Sequence, residues 1–379
     1  MRFTVQLVDL LPAVIVLSDF VPIKDSSGAF TSIRVIANDN FVSLAFSSQI
    51  CFVNIKVPAT VLEVGDLSLQ FDPLNKAVRS FSPLSQEGIG TESLSFELNE
   101  RGILLKACSL YKEKKSYSRR LIPVSPSFVP MLKSVEGMPS VDINADLFSS
   151  VLKGIIVSAS VQDGGSDSGV RFLVEGSNFV CASTNRVTLT EAGGENDSSI
   201  DGSLSCVLDS PMVAKIVKTI VKMRDSEYDS VTLFFSDNAL VVSFAGVFLK
   251  AAISTLVFPD YEPLFQGFKN HFDIEAKILS ENIRNLAFSA SKSDDYRVSL
   301  FLKSGQLSVF SNESENSGIN IEGFLGELAI DFNCFLLEPI VSNAGYGVVR
   351  IWFKDNISPV YLEFIKNDIK IRSLVASLG

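Results

Sequence analysis

The stretch Ser210-Pro-Met-Val-Ala-Lys-Ile-Val-Lys-Thr-Ile-Val-Lys222 decides the reading of this chain, with Val231-Thr-Leu-Phe-Phe235 and Leu240-Val-Val-Ser-Phe244 behind it. Serine followed by proline is a helix start. The hydroxyl is able to accept from the first unpaired amides, and the proline lacks an N–H that would find no partner there. At about 100° per residue, Val213, Ile216, Val217, Ile220 and Val221 fall on one face, with Lys215, Lys218 and Lys222 opposite. The two runs that follow flank Ser236-Asp-Asn238 and read as a hairpin. Phe258-Pro-Asp-Tyr261 then makes a sharp, proline-marked exit. The expectation is a helix with one face on a sheet and positive charge outward.

The same plan recurs on both sides. Leu94-Ser-Phe-Glu-Leu98 and Ile103-Leu-Leu-Lys-Ala107 flank one turn, and Val348-Val-Arg-Ile-Trp-Phe353 and Val360-Tyr-Leu-Glu-Phe364 flank another. Their turn positions Asn99, Asp237 and Asp355 are 138 and 118 residues apart. An earlier hairpin in each unit turns at Asp39, Glu175 and Ser304, spaced by 136 and 129. Two independent markers thus give one long period, which means whole repeated domains and not a solenoid. The fold class is α+β, with three repeats expected at 1–135, 136–268 and 269–379.

Composition fits. The 379 residues suit two or three domains, and 46% hydrophobic with 20% charged residues is the balance of a core-building chain. The five cysteines are scattered and without metal-ligand spacing, as buried thiols in a reducing compartment would be. Asp9 and Pro12 interrupt the apolar run at 10–17 as a secretion signal, and no stretch reaches the ~20 apolar residues of a membrane span. The sequence is therefore expected to be soluble and cytoplasmic, with no membrane partner. A net charge of −10 opposes nucleic-acid binding by the whole surface, so the placement of the cations matters more than their number.

Further helices are expected at 7–17, apolar all round, and at 73–81, where Lys76 and Arg79 are three apart. Residues 146–159 bury Phe148, Val151, Leu152, Ile155 and Ala159 with Lys153 opposite. Residues 276–290 place Leu279, Ile283, Leu286 and Ala290 on one face with Lys277 and Arg284 opposite. The last helix, 333–342, has no Lys or Arg. Lys24 falls in a polar connection, and 193–202 reads as a mobile glycine loop. These cationic faces either solvate exposed helices or line a surface for phosphates.

No sequence pattern argues for catalysis, a cofactor or a metal. The single histidine, His271, falls in an expected loop, and no phosphate-binding, dinucleotide, HExxH or CxxC motif is present. Acidic pairs such as Asp294-Asp295 lie in turn sequence. Carboxylates gathered by folding would make a hydrolase, a reading ranked behind a non-catalytic β-rich scaffold or adhesion protein.

On these repeats and on local motifs, the chain resembles the bacterial-type DNA sliding clamps, the beta subunits of DNA polymerase III. Met1-Arg-Phe-Thr-Val5 with Leu10-Leu11 is similar to the family's opening. Val170-Arg-Phe-Leu-Val174 leading to Ala182-Ser-Thr-Asn-Arg-Val187 resembles its second-domain hairpin, and Phe258-Pro-Asp-Tyr261 matches outright. Phe332-Asn333 and Ser358-Pro-Val-Tyr-Leu-Glu363 resemble third-domain landmarks. The second-domain Gly-His is missing before Arg186, and Leu374-Val-Ala-Ser-Leu378 replaces the usual ending, which marks a divergent member.

The resemblance implies a non-catalytic processivity factor: a homodimeric ring, β-sheets outside and two helices per domain facing inward. It would hold double-stranded DNA without reading sequence and tether a polymerase and a clamp loader through a short peptide motif. The DNA-facing residues would be Lys24, Lys76, Arg79, Lys153, Lys215, Lys218, Lys222, Lys277 and Arg284. The peptide pocket would be built from Val174, Arg186, Val187, Pro259, Leu264, Tyr296, Leu336, Val360, Leu374, Val375 and Ala376.

Overall fold

Each expected hairpin forms. Asn38 pairs with Phe41, Glu175 with Asn178 and Lys303 with Gln306, closing two-residue turns at the three early markers. Those turns hold Asp39, Gly176, Ser304 and Gly305 at positive φ, the twist that suits tight antiparallel hairpins. The later hairpins pair Asn99 with Gly102, Phe235 with Leu240, and Trp352 with Tyr361. The computed structural model describes all residues except 23–30, 87–90, 110–117, 125–134, 160–168, 224–227, 256, 289, 291, 312–313, 322–323, 325 and 379. Lys24 lies outside the described residues, as do most of the basic stretch 111–120 and the proline-rich segment 123–139.

Two helices accompany each hairpin set: α1 (Leu7–Phe20), α2 (Phe71–Gln86), α3 (Ala145–Ile155), α4 (Ser210–Lys222), α5 (Ala276–Ala287) and α6 (Cys334–Asn343). By internal contacts the chain divides into two compact units. One comprises Met1–Asp142 with Lys215–Ala252, the other Ile143–Ala214 with Ile253–Gly379. The division cuts across the sequence period because strands are shared. In the first unit, residues 247–251 pair antiparallel with 51–55, joining a later hairpin to the opening sheet. In the second, residues 188–193 pair antiparallel with 370–375 inside an eight-stranded sheet. A four-stranded sheet completes that unit.

The helices bury the faces that the periodicity marks: Phe148, Val151, Leu152 and Ile155 on α3, and Leu279, Ile283 and Leu286 on α5. Three expectations change. Val221 is 49% exposed, and the buried stripe of α4 takes in Met212 and Thr219 instead, continued by Met223 just past its end. Thr219 tolerates burial because its hydroxyl donates to the Lys215 carbonyl at 2.8 Å. His271 sits in the strand Asn270–Glu275, its ring tilted by 36° against Trp352 with centres 4.3 Å apart. Gly193 and Gly194 belong to the strand Thr188–Glu195, not to a loop. A Cβ on Gly193 would come within 2.8 Å of Val180, and one on Gly194 within 2.9 Å of Leu147 on α3. Glycine permits close approach of the neighbouring strand at Gly193 and of the helix at Gly194.

Under α3 the sheet seam carries a fully buried chain of hydroxyls. Thr190 Oγ1 lies 2.9 Å from Ser373 Oγ across the paired strands and also bonds Ser158, while Ser183 donates to the Ile155 carbonyl at 2.7 Å. Thr190→Val keeps the shape and strands the partners' hydroxyls. It should cost about 1–3 kcal/mol, read as a lower denaturation midpoint; unchanged stability would mean the chain is energetically idle.

Candidate functional site

In the second unit, the start of the 188–193/370–375 seam opens into a cavity of about 620 Å³. Its rim is a stapled turn. Thr184 Oγ1 donates to the Thr188 carbonyl at 3.0 Å and accepts from the Arg186 amide at 3.1 Å. The Asn185 side-chain oxygen accepts from the Val187 and Thr188 amides at 3.1 and 2.7 Å and from the Thr188 hydroxyl at 3.0 Å. Arg186 is thereby held at φ 72°, a left-handed conformation that few non-glycine residues adopt. The Ala376 amide donates to the Val187 carbonyl at 3.0 Å and ties the chain's end to this turn.

An aromatic cluster underlies the cavity. Tyr261, Tyr361, Leu189, Leu374 and Ala182 are buried together, with Phe258, Phe265, Phe268 and Trp352 packed against them. The rings meet mostly edge to face, Phe265 and Tyr361 at 5.2 Å and Phe258 and Tyr261 at 5.8 Å. Tyr261 is fixed by its hydroxyl, which donates to Glu191 Oε2 at 2.7 Å. The same carboxylate accepts from Arg372 Nε at 2.8 Å, and Arg372 reaches Glu262 at 2.9 Å while its guanidinium covers Phe265. Burial, then the Glu191 carboxylate, raises the Tyr261 hydroxyl far above its ordinary value, so it remains a donor. The Phe-Pro-Asp-Tyr motif is thus a peg: tyrosine anchored beneath, Phe258 and Pro259 presented to the cavity.

Of the expected pocket residues, Arg186, Val187, Pro259, Leu264, Leu374 and Ala376 line the cavity. Val174, Val360 and Val375 are core residues of the sheet, each at most 2% exposed. Tyr296 packs edge-on against Phe335, and Leu336 is half-buried on α6; neither lines the cavity. The sequence reading missed Val257, Phe268, Pro359 and Lys354 as lining residues. The useful signal was exposure, since Val187, Val257 and Leu264 are large apolar groups left 44%, 94% and 53% open at one place.

The expected DNA-facing cations are less free than their spacing implies. Lys222 Nζ is 2.6 Å from the Asp19 carboxylate and 3.3 Å from the Ile15 carbonyl, fastening α4 to α1. Lys215 lies over the Phe20 ring at 5.4 Å. On α2, Lys76 pairs with Asp72 at 2.6 Å and Arg79 donates to Asn75 at 2.7 Å. Arg284 pairs with Glu338 of α6, and Lys277 lies 4.0 Å from Glu281 and over the Tyr346 ring. Lys153 is half-buried and Lys218 is exposed.

No protein-family model matches the chain. A beta sliding clamp from Rickettsia felis is 23% identical over 354 residues, 89% of each chain. Solved structures agree along the full length. A DnaN sliding clamp from Pseudomonas aeruginosa, bound to griselimycin, gives a TM-score of 0.86 at 16% identity, covering 100% of this chain and 99% of its own. The Bacillus subtilis sliding clamp gives 0.84 at 18%, with 100% and 99% covered. This chain has the sliding-clamp fold. The fold that the motif resemblance implied is borne out. Within the clamp fold, Tyr261→Phe deletes one hydrogen bond to a carboxylate and nothing else. It should lower stability by about 1.5–3 kcal/mol in equilibrium denaturation, and a neutral result would remove Glu191 as the motif's anchor.

Proposed function

We propose that the chain works as a sliding clamp, a ring that encircles duplex DNA and tethers a replicative polymerase without chemistry of its own. The likeness to bacterial clamps over 100% of the chain carries this reading. In it, the repeats 1–135, 136–268 and 269–379 make half a circle, and two copies close the ring head to tail in the cytoplasm. A polymerase and a clamp loader dock short peptides into the cavity beside Val187, Pro259 and Leu264, where apolar anchors supply the affinity. After loading onto nicked circular DNA, the protein should remain bound until the circle is cut. Equal retention on linear DNA, or a strict monomer by light scattering, would sink the ring.

The ion pairs revise how the duplex is held. A ring that slides needs diffuse attraction to phosphates and no base contacts. Lys218 and Lys215 remain the best placed on α4, whereas Lys222 acts first as a strut to Asp19. Lys218→Glu should weaken DNA binding and leave stability within about 0.5 kcal/mol. Lys222→Glu should lower stability by about 1–3 kcal/mol, through the stranded Asp19 carboxylate. Thermal denaturation beside a salt-dependent DNA titration separates the two roles, and equal stability loss in both variants would refute the distinction.

The cavity has its own test. Leu374 and Val375 are core residues, so truncating them would confuse folding with docking. Val187→Ala and Leu264→Ala remove groups already exposed in the free chain. Together they should weaken polymerase and loader peptides by about 2 kcal/mol, with the melting temperature nearly unchanged; full-affinity binding by the double variant would place the docking site elsewhere.

A further inference from the structure

We infer that the cavity selects a partner segment bearing an acidic side chain next to its apolar anchors, and that Lys354 reads that charge. The inference rests on the peptide-docking reading above and adds a specificity residue to it. In a chain of net charge −10, the charged side chains that line the cavity are Arg186 and Lys354, both cationic. No Asp or Glu is among the lining residues.

Lys354 is held in place before any partner arrives. Its ammonium lies over the Phe268 ring, 4.4 Å from the centroid. Gly267, at φ 82°, leaves the space that the lysine stem occupies: a Cβ there would lie 3.4 Å from Cε and 3.5 Å from Nζ. A long side chain already laid against an aromatic face loses less freedom when it pairs.

Three carboxylates close in sequence to lining residues have partners of their own. Asp355 accepts from the Ile357 and Ser358 amides at 2.9 and 2.6 Å and from the Ser358 hydroxyl at 2.8 Å. Glu191 and Glu262 are engaged by Arg372. Among the described residues no carboxylate lies within ion-pair distance of Lys354, so its charge is available at an apolar mouth. Charge complementarity then favours a segment that places Asp or Glu beside a large apolar residue.

The test uses the full-length protein and two fluorescent peptides, amidated at the C-terminus and each carrying two large apolar residues. One has Asp next to them and the other Asn. The Asp peptide should bind about fivefold more tightly at low ionic strength, and added salt should shrink the difference. Lys354→Met should abolish the preference and Lys354→Glu reverse it. Lys354 is exposed, so both variants keep the fold. Absence of preference in the wild type, or a preference that survives Lys354→Met, overturns the inference. A preference seen only with non-amidated peptides would assign the charge to a terminal carboxylate and overturn it too. If neither peptide binds, the docking reading itself falls.

Discussion

Pairing between strands distant in the chain is the constraint on which the structure depends. Residues 51–55 meet 247–251, and 188–193 meet 370–375, so strands that would otherwise end a sheet become interior. An open edge exposes a row of unpaired amides and carbonyls, and these seams consume two of them in each unit. Register is pinned at the second seam because Thr190 and Ser373 must meet inside the hydroxyl chain beneath α3. A one-residue slip of either strand would turn its hydroxyl to the opposite face and break the chain that joins Ser373, Thr190 and Ser158.

The cavity is a by-product of that seam. Val187, Leu189, Leu374 and Ala376 reach it because the strand starting at Thr188 runs beside the strand ending at Val375. The aromatic cluster fills the space below, and the Glu191–Arg372 pair, itself cross-strand in register, fixes Tyr261 from underneath. Architecture and site are one set of contacts, which explains why a four-residue motif far from either strand is needed to complete the wall.

Local chemistry made much of this legible in the sequence. Turn residues, alternation and helix phase are short-range properties, so all six hairpins and the buried faces of α3 and α5 could be read from spacing alone. What failed depends on distant partners. Val221 lost its place in the core to Thr219 because one hydroxyl could bond its own backbone. Gly193 and Gly194 look like loop glycines until Val180 of the neighbouring strand closes on the first and Leu147 of α3 on the second. The cationic helix faces were read as free charge, yet Asp19 and Glu338, remote in sequence, neutralise Lys222 and Arg284. Lys354 went unnoticed because it sits in turn sequence, and only the fold brings Phe268 beneath it.

That every residue lining the cavity falls in the second compact unit has a thermodynamic consequence. A ligand that binds only the folded site stabilises it by mass action, in proportion to its concentration over its dissociation constant. Occupancy would therefore reinforce the seam at 188–193 and 370–375 and the elements packed on it, leaving the pairing at 51–55 and 247–251 to stand on its own strength. A docked partner would act as a removable brace on one half of the chain, and the unit without the cavity would set the limit of thermal endurance in the working complex.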